Sequence, residues 1–251
     1  MGIGEVLLIA LAGLAAGAIN TVVGSGTLIT FPVLLAFGYA PVTANVSNTI
    51  GLVPGSVSGA LGYRRELGGQ RRRAIRLGAA SALGGASGAV LLLVLPAAAF
   101  AAIVPVFIAV ALVLVLFQPH LNRLLAERRP HLGHEGGIFT ALAVYASGVY
   151  GGYFGAAQGI LLLGILGVAL PQDLHRSNAL KNVLAGLVNA VAGIYFVLAA
   201  HVAWGPVAII AAASIVGAQL GARYGRRLDP AVLRGLIVVV GTTAIVHLLA
   251  T

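Results

Sequence analysis

The sequence holds no cysteine, only six acidic residues, and a single tryptophan, methionine and lysine. Without cysteine there can be no disulfide, thiolate metal site, iron–sulfur cluster or cysteine nucleophile. Charged residues make up 8% of the chain, where a soluble domain carries about 25%. Such a chain cannot cover its own surface in water. That excludes a soluble enzyme, a disordered protein and a nucleic-acid-binding domain.

What is present points the other way. Hydrophobic residues supply 59% of the 251 positions, glycine another 35, and mean hydropathy is +1.02. This is the composition of an all-α polytopic membrane protein, in which helices satisfy the backbone without water. The net charge of +9 then reads as basic cytoplasmic loops rather than a nucleic-acid footprint. The first residues carry Glu5 and no Lys or Arg, so the basic region of a signal peptide is lacking.

Loop signals divide the chain into about ten helical segments: 3–22, 26–37, 42–62, 74–95, 98–117, 137–157, 159–170, 176–198, 204–222 and 231–250. Eight are long enough for the ~30 Å hydrocarbon core. Two, 26–37 and 159–170, are half-helices of about 18 Å. Each follows a glycine-rich break, Gly24-Ser25-Gly26 and Gly155-Ala156-Ala157-Gln158-Gly159. Arg64, Arg65, Arg71, Arg72, Arg73 and Arg76 follow the third segment. Arg123, Arg128 and Arg129 lie between the fifth and sixth, Arg176 and Lys181 begin the eighth, and Arg223, Arg226, Arg227 and Arg234 flank the last loop. The positive-inside rule places all of them on the cytoplasmic side if the short segments also turn the chain back, giving ten crossings with both termini outside.

The halves align. Gly26 matches Gly159 at an offset of 133, and Asn48 matches Asn182 and Gly59 matches Gly193 at 134. Five segments per half is odd, so two repeats, 1–117 and 137–251, lie inverted about a cytoplasmic linker at 118–136. Inverted repeats with broken helices are a secondary-transporter pattern, with the site at the repeat interface.

Three stretches carry a family resemblance. They are Gly17-Ala18-Ile19-Asn20-Thr21-Val22-Val23-Gly24-Ser25-Gly26-Thr27 with Pro32 following, Tyr150-Gly151-Gly152-Tyr153-Phe154-Gly155-Ala156-Ala157-Gln158-Gly159, and Ser177-Asn178-Ala179-Leu180-Lys181-Asn182. Over nearly its whole length the chain resembles the TauE/SafE family of sulfite exporters. The resemblance implies a multi-pass transporter of the inner (plasma) membrane that moves sulfite, an organosulfonate or a similar small anion. Where the family often has three glycines in a row, this chain has Gly24-Ser25-Gly26.

The residues fit an anion on their own terms. Glu5, Glu66, Glu127, Glu135, Asp173 and Asp229 all fall in loops or at segment edges, so no carboxylate is set deep enough to bind a cation or relay a proton. Each short helix offers unpaired N–H groups at its start. Gly24, Gly26 and Gly159 allow close approach, and Asn20, Thr21, Ser25, Thr27 and Gln158 add neutral donors. Asn45 and Asn48 share one helix face, as do Asn178, Lys181 and Asn182. Tyr153 reads equally as site or core. Lys181 reads either as a counter-charge for the anion or as a side chain snorkelling to the headgroups. Gly84, Gly85, Ser87 and Gly88 read as packing residues. His120, His131, His134 and Glu135 read as a solvated loop, His201, His247 and Trp204 as interfacial, and Arg71-Arg72-Arg73 as a contact to anionic lipid.

The expectation is a transporter of a small anion embedded in the lipid bilayer. No catalytic residue, metal, cofactor or nucleic acid is expected, and homo-oligomerisation is left open. A carrier of another organic anion and a non-transporting membrane subunit are the competing readings. An intramembrane enzyme lacks the nucleophile–base pair or metal cluster it would need.

Overall fold

The computed structural model describes residues 1–127, 137–170, 172–225 and 230–250. They form ten helices: α1 (Ile3–Val22), α2 (Thr27–Ala36), α3 (Pro41–Gly62), α4 (Arg71–Val94), α5 (Ala97–Glu127), α6 (Ile138–Tyr153), α7 (Gln158–Ala169), α8 (Leu174–Ala199), α9 (Trp204–Tyr224) and α10 (Pro230–Ala250). The fold is that of an all-α polytopic membrane protein. Among the described residues, α1, α4, α5, α8 and α9 are long and apolar enough to cross a bilayer. At 10 and 12 residues, α2 and α7 reach only about 15 and 18 Å.

Two boundaries differ from the sequence expectation by more than three residues. Helix α5 runs on to Glu127, so much of the expected linker 118–136 is helix, and His120 lies on it rather than in a loop. Pro105 and Pro119 sit inside α5 without ending it. Helix α6 stops at Tyr153, four residues before the expected end. His131, His134 and Glu135, together with Arg128, Arg129, Arg226, Arg227 and Asp229, lie outside the described residues.

Glycine decides which helices meet. The most extensive seams join α1 to α9 and α4 to α6. All four helices carry a pair of glycines four apart: Gly13 and Gly17, Gly217 and Gly221, Gly84 and Gly88, Gly148 and Gly152. Lipid tails are as apolar as leucine, so membrane helices associate through close packing, which small residues permit. A Cβ on Gly217 would stand 2.0 Å from the Leu14 carbonyl oxygen, and one on Gly88 would stand 2.1 Å from that of Val149. Gly84 and Gly85 pack as expected. Ser87 is half-buried, and hydrogen-bonds the Leu83 carbonyl and, across the α4–α6 seam, the Tyr145 hydroxyl.

The packing partners repeat along the chain. Helix α3 lies on α9 as α8 lies on α4, α2 meets α10 as α7 meets α5, and α3 pairs with α8. Ser56 faces Gly186 while Ile50 and Val53 face Gly193, so α3 and α8 run antiparallel.

The short helices return the chain towards the side it came from. The Tyr39 hydroxyl, just past α2, donates to Glu5 at the start of α1, at 2.8 Å. After α7, Gln172 accepts from the Arg73 guanidinium at 2.9 Å, and Arg176 donates to the Gly68 carbonyl at 2.9 Å. The buried Gln70 amide bridges the Glu66 and Arg176 carbonyls. The result is two helical hairpins, α1–α2 and α6–α7, entering from opposite faces.

The glycine seams generate a first prediction. Gly217→Ala forces a backbone displacement costing about 2 kcal/mol, which lowers Tm by about 5 °C for a chain of this size. Gly235→Ala has open space around it and leaves Tm unchanged or slightly raised. Thermal unfolding in detergent measures both, and equal effects would refute the packing account.

Candidate functional site

Each hairpin turns at a left-handed residue. The N–H groups of Val23 and Gly24 both donate to the Ile19 carbonyl, with Gly24 at φ +88°. Phe154 and Gly155 donate likewise to Tyr150, with Gly155 at φ +78°. The two breaks therefore correspond at an offset of 131, Gly24 to Gly155 and Thr27 to Gln158 as the first helical residues. This corrects the match of Gly26 to Gly159. Ala157 also takes the left-handed region, at φ +59°.

The breaks touch backbone to backbone. Gly159 N–H donates to the Gly24 carbonyl at 3.0 Å. A Cβ on either glycine would lie 2.4 Å from the other's Cα. No other residue fits this crossing.

The helix ends at the crossing are capped by the polar faces of α8 and α3. A helix C-terminus leaves carbonyls unpaired and carries about half a negative charge. At the end of α1, Lys181 Nζ donates to the Asn20 and Thr21 carbonyls at 3.0 and 3.2 Å. Asn178 and Asn182 also donate to Thr21, at 3.2 and 3.3 Å. At the end of α6, Asn45 donates to the Tyr153 carbonyl at 2.9 Å. Lys181 is 0% exposed, so it does not snorkel. Its amino group caps the carbonyls at the negative end of α1.

Not every expected donor turns to the crossing. Asn48 is spent on α2, through the Thr27 hydroxyl at 3.2 Å and the Thr30 hydroxyl. Gln158 points at α6 and donates to the Ser147 carbonyl at 3.2 Å. The Thr21 hydroxyl bonds back to Gly17. Asn20 and Tyr153 are half-buried, and the Asn20 amide makes no hydrogen bond among the described residues.

Other groups here lack a hydrogen-bond partner among the described residues. The N–H groups of Ser25, Gly26 and Thr27, at the start of α2, enter no backbone hydrogen bond among the described residues, and neither do those of Ala156 and Ala157. The Ser25 hydroxyl is 1% exposed and has no partner, and the Asn45 and Asn178 amide oxygens are also buried without one. In addition, the sequence reading passed over an aromatic wall. Phe31, Phe100 and Phe107 pack on Phe154, Phe100 and Phe107 also on Tyr153, and Phe107 on Tyr150, mostly edge to face at centroid separations of 5.2–6.0 Å. Tyr150 also closes its own break by donating to the Ala156 carbonyl at 2.6 Å. The close spacing of Tyr150, Tyr153 and Phe154 in a chain with only 6% aromatics was the available signal.

This arrangement sits in a chain whose residues 9–248 match the family model for the sulfite exporter TauE/SafE. The chain belongs to that family. The "probable membrane transporter protein YfcA" of Escherichia coli is 26% identical over 235 residues, 93% of this chain and 86% of the relative. A "probable membrane transporter protein" of Haemophilus influenzae is 26% identical over 95% of this chain and 92% of its own length. The "probable membrane transporter protein ORF9" of a Sinorhizobium species is 28% identical, covering 95% and 90%. No solved structure matches this TauE/SafE chain.

The cap geometry gives a test that needs no substrate. Lys181→Met leaves the α1 carbonyls short of a charged donor worth about 2 kcal/mol, lowering Tm by about 5 °C. Asn20→Ala, which removes no hydrogen bond, changes Tm by about 1 °C or less. An unaltered melting temperature for Lys181→Met would refute the capping role.

Proposed function

We propose that the protein is a secondary transporter that moves a small sulfur-containing anion, sulfite or an organosulfonate, out across the plasma membrane. The observation that carries this reading is the start of α2. Three free backbone N–H groups and the unpartnered Ser25 hydroxyl converge there in a buried place. A helix start is an anion site in its own right, but here it directly follows the negative end of α1. Lys181 cancels that negative end, so an anion meets a net positive field. Among the described residues no Asp or Glu is buried, which argues against a cation as cargo. The aromatic wall on the other side of the crossing favours an anion with a carbon body, and extends the reading to organic anions generally.

The transport mechanism in this reading is alternating access between two inverted repeats. The repeated packing partners and the antiparallel α3–α8 pair support the inversion. The basic residues gathered near Gly68, Gln70 and Arg176 support a cytoplasmic placement of that face, with both termini outside. The glycine crossing is the pivot.

Binding and flux test this together. Purified protein should rise in Tm with at least one of sulfite, sulfate, thiosulfate, taurine and sulfoacetate, since a ligand of the folded state stabilises it by mass action. Ser25→Ala should weaken that ligand about tenfold through loss of a charged hydrogen bond, with little change in the melting temperature of the unliganded protein. Proteoliposomes should export the same compound. No shift and no flux with any of them would remove the anion assignment.

A further inference from the structure

A cavity of about 500 Å³ opens on the basic face between the ends of α3 and α9, lined by Leu61, Gly62, Arg64, Arg65, Glu66 and Gln219. It lies apart from the hairpin crossing, and neither the proposed transport nor the capping uses it. Its floor is built. The Gln219 amide donates to the Ser58 carbonyl and hydroxyl at 2.9 and 2.8 Å, and Ser58 in turn donates to the Ile215 carbonyl at 3.1 Å. The side chains of Arg64 and Arg65 make no hydrogen bond or ion pair among the described residues. Two guanidiniums against one carboxylate leave the cavity net positive.

The surroundings identify the occupant. Directly below the arginines, α3 presents Val57 and Leu61, 54% and 60% exposed, and α9 presents Ile215, 42% exposed, across the same seam. In a membrane protein such a strip faces acyl chains. A free anion would need the arginines alone, whereas a phospholipid uses both features: a phosphodiester between the guanidiniums and a chain along Val57, Leu61 and Ile215. Basic pockets between helices at the cytoplasmic boundary are the recognised form of headgroup sites. We propose that this cavity binds the headgroup of an anionic phospholipid.

The test uses the full protein in detergent micelles, titrated with phosphatidylglycerol, with phosphatidylcholine, and with inorganic phosphate, and read by native mass spectrometry and Tm. Phosphatidylglycerol should bind and raise Tm more than phosphatidylcholine, and phosphate should neither bind nor compete. Each guanidinium contributes about fivefold in affinity, so R64Q/R65Q should weaken phosphatidylglycerol by about 25-fold. The double substitution R71Q/R123Q removes the same charge from exposed positions of the same face and should weaken it by less than about threefold at ordinary salt. Equal loss in both double variants would show diffuse attraction and overturn the proposal. Competition by inorganic phosphate would also overturn it, assigning the cavity to a free oxyanion.

Discussion

Everything central to this protein hangs on one backbone contact, the N–H of Gly159 against the carbonyl of Gly24. Two helical hairpins enter from opposite faces, and neither α2 nor α7 is long enough to cross alone. They meet end to end only because both positions lack a Cβ. The contact places four helix ends at one spot inside an apolar protein: two that present carbonyls and two that present N–H groups. Such groups cannot be left unpaired where water is scarce. The polar faces of α3 and α8 exist to resolve that problem, and they resolve it unevenly. Carbonyl ends receive Asn45 on one side and Lys181 with two asparagines on the other. The N–H groups at the start of α2 are left open, whereas those that open α7 are taken by the Gly155, Gly24 and Ala157 carbonyls.

That unevenness gives the crossing its polarity. Ile19, Val22 and Val23 stand where the second hairpin has Tyr150, Tyr153 and Phe154. A cation from α8 stands where α3 supplies only neutral amides. One break receives the Lys181 amino group and is lined by small groups, and the other is aromatic. Two hairpins that turn in the same way thereby carry unlike chemistry at their tips.

Much of this was legible in the sequence, because the membrane restricts the choices. Ten helices follow from hydropathy and glycine punctuation, and the short segments announce themselves by length. Asn45, Asn48, Asn178 and Asn182 stand out in apolar surroundings, and they do reach the crossing or α2. Other features depend on partners that no local pattern reveals. Lys181 looked like a ligand or a snorkelling chain because its spacing says nothing about the α1 carbonyls, 160 residues earlier. Asn48 looked like its neighbour Asn45, yet one turn of helix sends it to Thr27 and Thr30. The Gly26–Gly159 match failed because glycine recurs often enough to align at the wrong register, and only the hydrogen bonds to Ile19 and Tyr150 fix the offset. Helix α5 outran its expected end because polar residues after 117 suggested a loop, although a helix can continue into the headgroups and beyond.

The glycine seams have a consequence for how the chain is made. The partner of α1 is α9, and the partner of α6 is α4, so each seam joins the first five helices to the last five. Helix α1 emerges from the ribosome roughly ten seconds or more before α9 at ordinary elongation rates. During that interval its glycine face has nothing to close against. Neither five-helix half can complete its own packing, so the two are interlocked products of a single synthesis rather than modules joined afterwards. A chain split at the centre would need both fragments in the same membrane at the same time to assemble at all.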